Sequence, residues 1–199
     1  MQRGRKHTCE RNCSCQSRGQ AVCDFQLHLS PPPWLCSLTQ WHSVLKWDQW
    51  GSSHSGPVMN YLADCGGSCA NFKGDTGTPW VKFDQMAYDT TKSPPWGSDF
   101  LAKQGASWTV TIPSIKPGEY ILRHEILGLH VAGTRMGAQF YPACVQIKVG
   151  GSGIKSLPAG VGLPGAYNPD DKDGVLVQLW QVNQGQKNYT APGGPVKSI

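Results

Sequence analysis

Two short segments concentrate side chains that could bind a metal or move a proton. They lie between residues 123 and 144, and their relevant side chains are His124, His130, Gln139, Tyr141 and Cys144. Imidazole nitrogens are good ligands for copper and zinc, and a positioned imidazole can act as an acid or a base. Residues two apart on a strand share a face, so Gln139 and Tyr141 should point the same way. The pattern predicts a site on two short strands joined by a glycine-containing loop.

From the residues alone, each candidate also has a simpler interpretation. His54 precedes Gly56 and Pro57 and would be a turn residue. His130 would be a solvated loop histidine, and Tyr141 a strand tyrosine whose ring packs into the core. Tyr189 would anchor its loop. These interpretations stand beside the functional ones until other observations decide between them.

The elements that must position these residues are predicted to be strands. The chain contains 24 glycines and 15 prolines, helical periodicity is scarce, and turn clusters separate short apolar runs. The predicted strands are 43–47, 56–62, 80–83, 107–112, 118–127, 140–149 and 174–180. Such closely spaced short strands favour an all-β fold, an immunoglobulin-like or fibronectin-III-like two-sheet β-sandwich with long loops.

The charge is unevenly distributed along the 199 residues. The chain carries +5, but residues 1–20 hold five basic residues and one acidic residue, or +4, which leaves about +1 for the rest. A nearly neutral body with eight tryptophans does not suit nucleic acid, whose binding needs a basic face. It suits an uncharged partner such as a polysaccharide. No stretch reaches transmembrane length, so a membrane is not an expected partner either.

Residues 1–40 differ in composition from the rest of the chain. Five of the eight cysteines fall there, at Cys9, Cys13, Cys15, Cys23 and Cys36. Their spacing matches no defensible metal motif, and the basic start lacks the apolar region of a secretory signal. We therefore expect an atypical, poorly ordered segment at 1–40 and a single β-sandwich domain at 41–199, which is large enough for its own core.

Cys65 and Cys69 enclose a short Gly-Gly-Ser stretch. They could form a small disulfide loop or part of a metal site, and the absence of a second paired Cys/His motif favours the disulfide. A disulfide indicates an oxidising compartment. Two segments, Asn12-Cys-Ser14 and Asn188-Tyr-Thr190, fit the N-glycosylation pattern, which is consistent with a glycoprotein.

Together these blocks resemble the lytic polysaccharide monooxygenases of auxiliary activity family nine, which are copper enzymes that cut cellulose oxidatively. The resemblance covers roughly residues 43–195. It rests on His54 before Gly-Pro-Val and Tyr-Leu, on the motif from His130 to Cys144, and on Tyr-Thr-Ala-Pro-Gly from Tyr189. It implies a secreted monomer with one copper ion, which uses O2 or H2O2 and an external electron donor to hydroxylate a β-1,4-glucan at C1 and/or C4.

The resemblance also implies roles for individual residues. His54 would be the internal histidine ligand of copper, and Tyr141 the axial group beside the metal. His130 and Gln139 would hydrogen-bond the oxygen species, and Tyr189 would stack on glucose rings. His124 is interpreted as structural.

A long-range disulfide is a further implication of the resemblance. The family motif places a cysteine at the position of Cys144, bridged to one in the N-terminal third of the chain. Cys23 is the first choice of partner and Cys36 the second.

The start of the chain departs from the family pattern. In that family an N-terminal histidine supplies both its imidazole and its amino group to copper. This chain starts at Met1, and His7 lies only 47 residues before His54. We expect that residues 1–40 replace the usual start, through a faulty gene model or an alternative transcript. The chain as written would then bind copper poorly and be inactive; the alternative is a non-catalytic carbohydrate-binding β-sandwich.

Overall fold

Two antiparallel sheets form the framework of the computed structural model, which describes residues 41–199. The strands of this part of the chain are β1 Trp41–Lys46, β2 Val58–Asp64, β3 Val81–Met86, β4 Ser107–Ile112, β5 Gly118–Gly128 and β6 Gln139–Val149. β1 pairs with β4, and the second sheet has the order β3-β2-β5-β6. This is the all-β two-sheet sandwich that the sequence predicts.

Helical structure is confined to short elements in loops. They are a 3-10 turn at Cys69–Asn71, α1 at Gly97–Lys103 and α2 at Leu179–Asn183. Within residues 41–199, no helix has the length and apolar character needed to cross a bilayer. The described domain is therefore built almost entirely from strands and connecting loops.

The four-stranded sheet is buried on both faces. On the face towards β1 and β4, Leu122 packs with Leu45 and Val110 in one apolar cluster. On the opposite face, Tyr61 and Leu127 pack beneath the long loops that follow β6. β2 and β5 therefore lie in the interior of the domain, and residues at their ends are held by packing from two sides.

The segment 174–180 does not form the strand that its apolar run predicts. The amide of Leu176 donates to the Asp171 carbonyl at 2.7 Å, and the amide of Val177 donates to the Ala132 carbonyl at 3.0 Å. Val177 is nevertheless fully buried. Its apolar side chain packs into the core from a loop, and α2 begins two residues later. An apolar run predicts that its residues are buried, but it does not determine whether the backbone pairs with another strand.

A buried polar cluster ties the loop that contains Tyr167 to the sheet. The Arg123 guanidinium lies 2.8 Å from the carboxylate of Glu125, which is fully buried. Tyr167 donates a hydrogen bond to the same carboxylate, and the hydroxyls of Tyr167 and Tyr61 are 3.1 Å apart. Burial, followed by the negative charge of Glu125, raises the pKa of Tyr167, so its hydroxyl stays protonated and able to donate.

The structure contains the disulfide that the spacing of Cys65 and Cys69 predicts. It closes the loop that leads from β2 into the 3-10 turn, and the Cys69 amide donates to the Glu119 carboxylate on β5 at 3.1 Å. Cys144 is half-buried on β6, opposite Arg123 in the register. Its predicted partners, Cys23 and Cys36, lie outside the described residues. The Cys23–Cys144 bridge and the segment boundary at residue 40 therefore stay predictions.

Candidate metal centre

The pairing of β2 with β5 brings two loop histidines together. This pairing continues past the strand ends, since the Leu129 amide donates to the Ser55 carbonyl at 2.9 Å. The segment before β2 therefore runs alongside the segment after β5. His54 and His130 meet there, with ring centroids 4.0 Å apart and ring planes inclined by 50°.

The first residues of β6 complete this cluster. Gln139 and Tyr141 share one face of the strand, and the Tyr141 hydroxyl donates to Gln139 Oε1 at 2.5 Å. The Tyr141 ring lies 6.1 Å from the His54 ring, and Trp50 meets it edge-on at 5.0 Å. The structure thus places four predicted site residues, His54, His130, Gln139 and Tyr141, at one end of the sandwich.

The backbone beside His54 is held by a close approach and by a buried hydroxyl. A Cβ on Gly56 would lie 1.8 Å from the Leu127 carbonyl oxygen. The segment before β2 can therefore approach β5 this closely only because residue 56 is glycine. The Gly56 amide donates to Ser98 Oγ at 2.9 Å, and the Ser98 hydroxyl donates to the His54 carbonyl at 3.2 Å. Ser98 is fully buried at the start of α1. It fixes the backbone on both sides of Ser55.

Replacing Ser98 with alanine is expected to lower the free energy of unfolding by about 1–3 kcal/mol, because the buried Gly56 amide loses its acceptor. Denaturant unfolding would measure the loss. The control is Ser107→Ala, which removes an exposed hydrogen bond to the Gln104 carbonyl and should change stability by less than about 0.5 kcal/mol. Equal stability of the two variants would show that Ser98 does not hold this loop.

Burial and the neighbouring imidazole control the protonation of His130. Burial, and then the proximity of His54, lower the pKa of His130, so its ring is neutral near pH 7. Its Nδ1 atom is shielded from solvent and has no hydrogen-bond partner among the described residues. Burial raises the pKa of Tyr141, which keeps its phenol protonated. His130 and Tyr141 therefore present neutral donors and acceptors.

These donors fit copper in kind. Copper readily takes imidazole nitrogen, and the cluster offers two imidazoles with a phenol oxygen nearby. Within residues 41–199, however, no group of three or more His, Cys, Asp or Glu side chains is arranged to hold a metal ion. The described residues thus supply part of a coordination set, with His54 as its candidate nitrogen ligand, the Tyr141 phenol near it and His130 beside them.

His124 lies apart from this cluster. It is buried in the core, and its Nδ1 lies 2.7 Å from Asn60 Oδ1. The Trp47 ring lies 5.8 Å away. Burial lowers the pKa of His124 to about 3, so the ring stays neutral at any ordinary pH. This placement agrees with its interpretation as a structural residue.

Tyr189 occupies the position of a loop anchor rather than that of an exposed stacking surface. Its ring meets Trp96 edge-on at 4.9 Å, and its hydroxyl donates to the Gly174 carbonyl at 3.1 Å. It packs against the core cluster beneath the loops. A sugar ring needs an exposed aromatic face, so this geometry favours the loop-anchor interpretation of Tyr189, and its stacking role stays a prediction.

No local sequence pattern marks two groups of residues near the site. Ser98 and Asp99 hold the His54 loop from 44 residues away, and no motif marks them. Trp180 is 51% exposed, although its place in a predicted strand gave no sign of that. A tryptophan that follows an apolar run is expected to be buried in the core. Trp180 lies at the surface because its segment does not form the predicted strand.

Two packed antiparallel sheets, with two imidazoles and a tyrosine at the ends of their central strands, define a β-sandwich with a candidate copper centre at its edge. A sequence model of Auxiliary Activity family 9 (formerly GH61) matches residues 39–189. The chain belongs to this family.

Curated relatives agree with this assignment. The chain is 44% identical over 148 residues to AA9 family lytic polysaccharide monooxygenase B of Geotrichum candidum, which covers 74% of this chain and 39% of the relative. It is 43% identical over 157 residues to monooxygenase E of Aspergillus tamarii, covering 77% and 61% of the two chains. The chain therefore spans about two-fifths to three-fifths of the length of these relatives.

Solved structures show the same fold. Cel61B from Hypocrea jecorina, a glycoside hydrolase family 61 member, superposes with a TM-score of 0.70 at 36% identity, covering 78% of this chain and 67% of that one. The extended catalytic domain of H. jecorina LPMO9A gives a TM-score of 0.69 at 37% identity, covering 79% and 62%. The described β-sandwich is thus the fold of this family.

Proposed function

We propose that this protein is a secreted, copper-dependent lytic polysaccharide monooxygenase that cleaves cellulose by hydroxylation at C1 and/or C4. The observation that carries the proposal is the meeting of His54, His130, Gln139 and Tyr141 at one end of the sandwich. Family membership and the named relatives support it. The reaction would need one copper ion per chain, O2 or H2O2, and an external electron donor.

His54 would hold the metal through one ring nitrogen. Copper, when bound, would supply the redox couple that activates the oxygen co-substrate. The Nδ1 atom of His54 lies 2.9 Å from Ser53 Oγ, which leaves Nε2 for the metal. Nδ1 would then carry the ring proton and donate a hydrogen bond to the serine hydroxyl. An outer contact of this type fixes the tautomer and the orientation of a ligating imidazole.

Gln139 and Tyr141 would act as a pair beside the metal. The phenol donates to Gln139 Oε1, so this bond orients the amide and directs its NH2 group away from Tyr141. That group can donate to an oxygen species. Trp50, packed edge-on against the Tyr141 ring, restricts the motion of the phenol. These contacts position both side chains before substrate arrives.

His130 would be the proton-transfer group of the site. Its neutral ring carries one N–H donor and one acceptor nitrogen, so it can release a proton at one nitrogen and regain one at the other. Positioned acid–base groups typically contribute about 10²–10⁴-fold to a rate. The lowered pKa of His130 keeps this group uncharged beside a copper cation, which avoids repulsion between the two.

The mature protein from its natural host tests the proposal directly. N-terminal sequencing and intact mass should reveal a leading histidine, and electron paramagnetic resonance should show one Cu(II) per chain. With a reductant and swollen cellulose, mass spectrometry should detect oligosaccharides oxidised at C1, at C4 or at both. A chain without a copper signal or oxidised products would overturn the proposal, and retained cellulose binding would then favour the carbohydrate-binding alternative.

A further inference from the structure

The loop residue Ser55 connects the two segments that carry the clustered histidines. Its carbonyl accepts a hydrogen bond from the Leu129 amide at 2.9 Å, and its hydroxyl lies 2.8 Å and 3.0 Å from the two carboxylate oxygens of Asp99. His54 precedes Ser55, and His130 follows Leu129. We infer that Asp99 is a positioning residue of the candidate metal centre, which acts through Ser55 to fix the separation of His54 and His130. The inference rests on the proposed function and extends it to a residue outside the cluster.

The helix that carries Asp99 is itself fixed to the four-stranded sheet. α1 begins at Gly97, where an added Cβ would lie 2.2 Å from the Met86 carbonyl oxygen, so the start of the helix lies directly against the end of β3. Two residues after Asp99, Leu101 is fully buried and packs in the apolar cluster that includes Val58 of β2. Asp99 is therefore presented to the loop from a rigid element, as precise positioning requires.

The separation of the two histidine rings depends on few hydrogen bonds. The strand pairing of β2 with β5 ends four residues from each histidine. Beyond that end, the bond from the Leu129 amide to the Ser55 carbonyl adjoins both His54 and His130. Their ring centroids are 4.0 Å apart, and a misplacement of about 1 Å can cost about 100-fold in the rate of a reaction. A residue that fixes Ser55 therefore affects both imidazoles at once.

Ser98 and Asp99 hold different atoms of this loop. The Ser98 hydroxyl bonds to the backbone on either side of Ser55, at the Gly56 amide and the His54 carbonyl. Asp99 instead accepts the hydroxyl proton of Ser55 itself. The carbonyl of Ser55 is bonded to β5 and its side chain to α1, so both ends of the residue are fixed. Only the contact with Asp99 restrains the side-chain rotation of Ser55.

Replacing Asp99 with alanine should separate the two histidines in the full chain prepared without copper. The Ser55 hydroxyl would lose its acceptor, and the residue could then turn away from Leu129. The nuclear Overhauser effect between the ring protons of His54 and His130 should weaken or disappear. The Leu129 amide should exchange with solvent at least about tenfold faster, the effect of losing one hydrogen bond to a charged group. Both quantities are measured by NMR.

Three further variants isolate the bond between Ser55 and Asp99. Asp99→Asn keeps an acceptor oxygen but loses the charge, so its losses should be smaller than those of Asp99→Ala. Ser55→Ala should reproduce Asp99→Ala, and the double variant should be no worse than either, because each removes the same bond. The matched control is Asp89→Ala, which removes a bond of the same type from the Thr91 hydroxyl at 2.6 Å, within the loop after β3. It should match the wild type.

Copper titration and electron paramagnetic resonance extend the test to the metal centre. Loss of an outer contact usually lowers metal affinity by about 10–100-fold. We therefore expect at least about tenfold weaker copper binding and an altered Cu(II) spectrum in Asp99→Ala and Ser55→Ala, with neither change in Asp89→Ala. A purely structural role would lower the unfolding temperature of Asp99→Ala but leave the ring contact, the Leu129 exchange and the spectrum unchanged. That result would overturn the inference.

The copper-free measurements separate this inference from the proposed function. Wild-type protein that binds copper, together with an unchanged ring contact in Asp99→Ala, would overturn the positioning role and leave the monooxygenase proposal intact. Wild-type protein that binds no copper, together with a lost ring contact in Asp99→Ala, would overturn the metal centre and leave the link from Asp99 to the imidazole pair standing. If Asp99→Ala does not fold, Ser55→Ala removes the same bond and decides between these outcomes in the same way.

Discussion

Replacing His54 with alanine should abolish copper binding and, with it, the release of oxidised sugars. In the described part of the site, His54 is the proposed nitrogen ligand; it lies beside His130 on a loop held by Ser98. Loss of an outer contact to a ligand already costs about 10–100-fold in metal affinity. Loss of the ligand itself should therefore raise the copper dissociation constant by more than about 100-fold, measured by calorimetry and paramagnetic resonance.

The matched control for this prediction is His42→Ala. His42 is an exposed histidine on β1, and its Nδ1 lies 2.9 Å from Thr111 Oγ1. It should keep wild-type copper affinity and product release. Both variants should unfold at nearly the wild-type temperature, because neither residue is fully buried. Wild-type copper affinity in His54→Ala would show that His54 is not a ligand, and the proposed metal centre would have to be abandoned.

Replacing Glu125 with alanine should lower the free energy of unfolding by about 3–5 kcal/mol, the usual cost of removing one partner of a buried ion pair. Arg123 would keep its charge inside the domain, next to the Trp80 ring at 5.6 Å. Tyr167 would lose the acceptor of its hydroxyl. For a chain of this size the midpoint of thermal unfolding should fall by about 6–20 °C, which calorimetry would measure.

An exposed ion pair provides the control for Glu125. Arg135 and Asp170 form a salt bridge whose side chains are 57% and 60% exposed. Asp170→Ala should therefore cost no more than about 1 kcal/mol, since water screens both charges. Similar losses for Asp170→Ala and Glu125→Ala would mean that the buried cluster contributes no more than a surface pair, contrary to its burial.

The strands that flank the site were predictable because their patterns are local. The alternation of Trp108, Val110 and Ile112 predicts a strand at 107–112, and β4 spans the same residues. The long apolar run from Gly118 predicts β5 to within one residue. Both patterns depend on which face of a strand is buried, and neighbouring residues in the chain determine that.

The error at 174–180 has the opposite cause. Val177 is as buried as a strand residue, but its amide bonds to Ala132, far away in the chain. The choice between a ladder and a loop depends on which distant carbonyl is available. The same departure from a strand exposes Trp180, whereas Tyr189 packs against Trp96.

The sequence by itself determined the fold class, the family, and the identities of the four clustered side chains. His54, His130, Gln139 and Tyr141 are recognisable from their own neighbours in the chain. The tertiary structure alone decided that His54 and His130 meet, that Ser98 holds their loop, and that Trp180 faces solvent. The contacts of His54 with His130 and with Ser98 join residues 44 or more positions apart. They exist because the pairing register of β2 with β5 and the packing of loops over the sheet select one arrangement, and local spacing carries no information about either.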